Sequence, residues 1–112
     1  MSDDKKPPKP LEEPKVSVHV TPKDNENNEH KKAAKKVEKT LKENVEKAIE
    51  KNKSGGQEKQ FKAAKDETDR AGEGTSKEKI KEIEVSVSGK DEKGDEEKRG
   101  YTVIPKEGKP TP

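Results

Sequence analysis

Apolar side chains recur along the chain in two rhythms. Val16, Val18 and Val20 alternate with Ser17, His19 and Thr21, the period of two that marks a strand with one covered face. A strand over 15–21 is predicted, stopped by Pro22. From 24 to 52 the steps lengthen to three and four, through Ala34, Val37, Leu41, Val45, Ala48 and Ile49, which predicts one long amphipathic helix. Thr21 or Asp24 supplies its N-cap, with Pro22 at the first helical position, and Ser54, Gly55 and Gly56 end it. Glu38 and Glu43 stand four residues before Lys42 and Lys47, the favourable order for ion pairs along a helix. A weaker helical period through Phe61, Ala64, Thr68 and Ala71 predicts a second helix over 57–71. Alternation returns at Ile83, Val85 and Val87 within a strand over 80–88. Tyr101, Thr102, Val103 and Ile104 form a third strand, closed by Pro105. The intervening GKDEKGDEEKRG reads as a charged loop too long for a tight hairpin turn.

Composition pulls against this order. Of 112 residues, 21% are hydrophobic and 46% charged, whereas folded domains run near ~45–50% and ~25%. With 27 basic and 25 acidic residues, the net charge is only +2. The expectation is therefore a largely disordered polyampholyte with one long amphipathic helix as its most persistent structure. If it folds, it forms a small α+β unit in the order strand-helix-helix-strand-strand. The corresponding organisation is a disordered arm over 1–14 holding Pro7, Pro8, Pro10 and Pro14, a single marginal domain over 15–105, and a disordered tail over 106–112.

Candidate chemistry is sparse. Without cysteine there is no disulfide, thiolate metal site or thiol nucleophile. His19 and His30 are the only imidazoles, and the two acidic stretches near Asp24 and Asp91 miss the spacing of a calcium loop. GEGTSK, at 72–77, matches no phosphate-loop pattern. No catalytic residue, metal site or cofactor is expected. Lys31, Lys32, Lys35, Lys36, Lys39 and Lys42 form the strongest basic stretch, diluted by Glu29, Glu38 and Glu43. With Phe61 and Tyr101 the only aromatics, nucleic acid is expected to bind weakly and salt-sensitively at most. The candidate interaction face is Val37, Leu41, Val45 and Ile49. The candidate sheet face is Val16, Val18, Val20, Ile83, Val85, Val87 and Val103. Partners of that surface are another protein or a second copy.

The N-terminal segment has no apolar run, and no stretch reaches the ~18 apolar residues of a membrane span, so a soluble, cytoplasmic protein is expected. AAKDETDRAGEG, with a mean hydropathy of −1.58 for the whole chain, resembles the hydrophilins, the class that includes late-embryogenesis-abundant-like stress proteins. That resemblance covers roughly residues 25–80 and implies a protective, water-retaining chain that gains helix on drying or binding. The valine-rich runs resemble instead a small bacterial domain of unknown function found in stress-related proteins, which implies no activity. Two functions follow as expectations: a non-enzymatic protective or accessory protein, or a small α+β protein-interaction module that orders on partner binding or oligomerisation. The lysine and glutamate surface and tidy helix cap are also features a protein designer would choose.

Overall fold

The computed structural model describes residues 9–106. Its elements are β1 (Glu12–Pro22), α1 (Asn28–Lys51), one 3₁₀ turn (Lys53–Gly55), α2 (Gly56–Gly74), β2 (Ile80–Lys90) and β3 (Glu96–Val103). The strands form one antiparallel sheet with β2 in the centre. Val16, Val18 and Val20 lie opposite Val87, Val85 and Ile83, while Val85 and Ile83 face Tyr101 and Val103 on the other side. Both helices cover this apolar face, α1 chiefly over β1 and α2 over β3. The other face stays polar, with Ser86 between Ser17 and Gly100.

This architecture overturns the expectation of a largely disordered chain, and the physical reason is placement. Leu11, Val20, Leu41, Val45, Ile49, Phe61, Ile80, Ile83, Val85 and Val87, with Ala34 and Ala64, are buried in one continuous core. Nearly every large apolar residue points inward, so the many charged residues occupy surface that a two-layer fold must expose anyway. Composition averages over that distinction. The N-terminal arm is also corrected: residues 1–8 lie outside the described residues, but Leu11 is only 4% exposed and 12–14 already belong to β1. Of the C-terminal tail, 107–112 lie outside the described residues, and the Lys106 N–H donates to the Gly72 carbonyl at 2.9 Å.

Local hydrogen bonds decide the boundaries. Thr21 and Pro22 remain in β1, opposite Glu82 and Ile80, so neither caps the helix. Asn27 does, its side chain accepting from the Glu29 and His30 N–H groups, which satisfies two of the orphan donors at a helix start. The charged segment between β2 and β3 closes tightly rather than as a long loop. Asp91 Oδ1 accepts from the N–H groups of Lys93 and Asp95, and Gly94 takes the left-handed conformation the turn needs, φ +83°. At the other strand end, Glu13 at φ 51° and a register shift between Glu12 and Lys15 interrupt the β1 edge, a device that discourages edge-to-edge pairing.

Two polar clamps join the layers. Gln60, 1% exposed, accepts from the Leu11 N–H at 2.9 Å and donates to the Ile49 carbonyl at 3.0 Å. One amide thus ties the start of the fold to the end of α1. On the far side, Arg99 lies 4.3 Å from the Phe61 ring centroid and forks onto both oxygens of Glu58. The hydrogen bond to Glu58 holds the guanidinium more firmly protonated than usual. Tyr101 donates its hydroxyl to the Phe61 carbonyl at 3.2 Å, and burial pushes its phenol pKa above the ordinary value.

Candidate binding site between the helices

The candidate interaction face is placed mostly out of reach. Leu41, Val45 and Ile49 are buried core residues, and Val37 is half-buried against them. The candidate sheet face is likewise internal: Val20, Ile83, Val85 and Val87 are buried, and Val16, Val18 and Val103 pack against the same core. Those seven strand residues hold the fold together; none lies on the polar outer face of the sheet. The expected pairs of Glu38 with Lys42 and Glu43 with Lys47 do not form among the described residues. Instead Glu38 turns toward the sheet and accepts from the Val20 N–H at 2.9 Å, covering an edge donor of β1. His19 lies 3.9 Å from the same carboxylate, and His30 Nδ1 accepts from the Asp24 N–H.

What the fold leaves open is the outer seam of the helix pair. On α1 the residues Lys36, Thr40, Asn44, Lys47 and Lys51 share one face at steps of three and four. On α2, Lys59, Lys62, Asp66 and Arg70 do the same, with Glu67 beside Asp66. The two faces form the walls of a trough with two adjoining lobes that share Asn44, Glu67 and Arg70. One lobe, about 630 Å³, is lined by Lys47, Lys51, Lys59 and Lys62, with Ala48 and Ala63 in its floor. The other, about 300 Å³, has Val37, Leu41 and Ala71 in its floor and ends at Gly74 and Thr75.

The charge of the trough differs from that of the chain. Its cations are Lys36, Lys47, Lys51, Lys59, Lys62 and Arg70, against the carboxylates Asp66 and Glu67. Both carboxylates are already paired, Asp66 with Lys62 at 3.4 Å and Glu67 with Arg70 at 3.2 Å. Among the described residues, Lys36, Lys47, Lys51 and Lys59 make no ion pair. A concave surface lined by one excess sign focuses its field on whatever enters. Of the basic stretch apparent in the sequence, only Lys36 reaches this seam. The signal that could have found the site is a second helical stripe, cations spaced with the small residues Ala48, Ala63, Ala71 and Gly74.

Among the described residues no three His, Asp or Glu side chains are grouped to hold a metal ion. No helix there is long and apolar enough to cross a membrane. Comparison with protein-family models, curated proteins and solved structures finds no match.

Proposed function

We propose that the protein is a small, non-enzymatic α+β interaction module whose helix pair presents a preformed cationic groove to an anionic macromolecule. The observation that carries this reading is the local excess of cations: Lys36, Lys47, Lys51, Lys59, Lys62 and Arg70 line one concave seam against only Asp66 and Glu67. A protective role of the hydrophilin kind calls for a chain that gains order on drying or binding, and this one is already ordered from Leu11 to Val103. That favours recognition by a built surface over protection by composition. The cysteine-free chain suits the cytoplasm, where such a module needs no disulfide support.

Titrating the ¹⁵N-labelled protein with poly-glutamate tests the reading. Amide shifts are expected along the groove walls, around Lys36, Asn44, Lys51 and Lys62, and should fade as salt shortens the Debye length below ~8 Å. Shifts centred on the outer sheet face, or none at all, would remove the groove as the functional surface.

A further inference from the structure

We propose that the occupant of the groove is an acidic peptide segment carrying an aliphatic anchor at one end. This rests on the binding reading above and adds to it the chemistry and direction of the partner. The two lobes are chemically unlike. Val37 and Ala71, both half-buried, give the smaller lobe an aliphatic floor above the buried Leu41, whereas Lys47, Lys51, Lys59 and Lys62 surround the larger one. A matching ligand therefore changes character along its length, apolar first and then repeatedly negative.

Carboxylates are drawn to the larger lobe, where Lys47, Lys51, Lys59, Lys62 and Arg70 outnumber Asp66 and Glu67. A nucleic acid fits less well. Its charge is even along the strand, so the aliphatic lobe would stay unfilled. Phe61 is buried under Arg99 and Tyr101 is bonded to the Phe61 backbone, which leaves bases no aromatic platform. From Lys36 to Lys51 the α1 wall spans about 22 Å at ~1.5 Å per residue. That distance accommodates about seven residues of extended peptide at ~3.3 Å each.

Fluorescence anisotropy with labelled 15-residue peptides tests the proposal. One peptide carries two leucines followed by a glutamate run, a second replaces both leucines with serine, and a single-stranded oligonucleotide of equal charge serves as the third probe. The leucine peptide is expected to bind about tenfold tighter than the serine peptide, the effect of burying roughly one aliphatic side chain. Val37→Ser should erase most of that preference. Lys47→Glu with Lys51→Glu should weaken both peptides at least tenfold, and unchanged amide dispersion establishes that each variant is folded. Equal binding of the two peptides within the groove overturns the anchored ligand but leaves the groove reading standing. Tighter binding of the oligonucleotide overturns the peptide proposal in favour of nucleic acid. Binding of none of the three probes overturns this proposal and the groove reading together.

Discussion

The two sides of the helix pair follow opposite rules. Toward the sheet, α1 and α2 present Leu41, Val45, Ile49, Phe61 and Ala64, each no more than 3% exposed, and the one buried amide, Gln60, has both ends bonded. No buried side-chain nitrogen or oxygen lacks a partner among the described residues. On the outer side, the same helices leave four lysines without counter-charge around a hollow that no part of the described chain fills. The inner side is resolved by the fold itself, and the outer side has electrostatic potential left over.

Substitutions on the inner side should be costly and those on the outer side nearly free, and the contrast can be broken at several points. Phe61→Ala should have the largest effect, lowering stability by about 3–5 kcal/mol in urea unfolding, because it opens a cavity and removes the surface on which Arg99 rests. Gln60→Ala should cost about 1–3 kcal/mol by leaving the Leu11 N–H and the Ile49 carbonyl buried without partners. Gly89→Ala should cost about 1–3 kcal/mol through overpacking, since its new Cβ would stand 2.9 Å from the Leu11 Cβ and 3.2 Å from the Glu12 carbonyl oxygen. A thermal melt that left this variant as stable as the parent would show that the N-terminal segment is not seated as described.

Tyr101→Phe is smaller, about 1 kcal/mol for one lost hydrogen bond, and carries a pH signature. Burial raises the folded phenol pKa above its ordinary 10.0, so its protonated form stabilises the fold fully below pH 10. That contribution is lost as pH rises through the folded value. The parent should therefore lose stability more steeply than Tyr101→Phe between neutral and strongly alkaline pH, as chemical unfolding at a series of pH values would record. Least affected should be Lys47→Glu with Lys51→Glu, whose stability should stay within about 0.5 kcal/mol of the parent although its groove is spoiled. A large loss there would mean the lysines serve the fold rather than a partner.

The sequence and the structure meet most closely where periodicity is local. Val16, Val18 and Val20 and the run Ile83, Val85 and Val87 announce a covered face because a strand turns alternate side chains the same way. The disordered expectation failed because a percentage does not record which positions are apolar. The helix start slipped from 24 to Asn28 because Thr21, Pro22 and Asp24 suit a cap as well as Asn27 does, and only pairing of β1 with β2 removes the first two. The hairpin turn was hidden in its charges, since Asp91 acts there as a hydrogen-bond acceptor for Lys93 and Asp95. Gln60 and Arg99 gave no local signal at all, as their partners lie 11 to 49 residues away in the chain. The groove was illegible for a related reason: each lysine reads as a solvated helix position until two helices are set side by side.

The central claim is that this charge-rich chain is folded on its own, with the groove formed before any partner arrives. Native-state amide hydrogen exchange on the free protein measures that directly. The N–H groups of Ile83, Val85 and Val87 in β2 and those of Leu41 and Val45 in α1 should exchange together and only through global unfolding, at a protection set by the stability found in urea. Rapid exchange throughout the free chain, with protection emerging only after an acidic ligand is added, would contradict it.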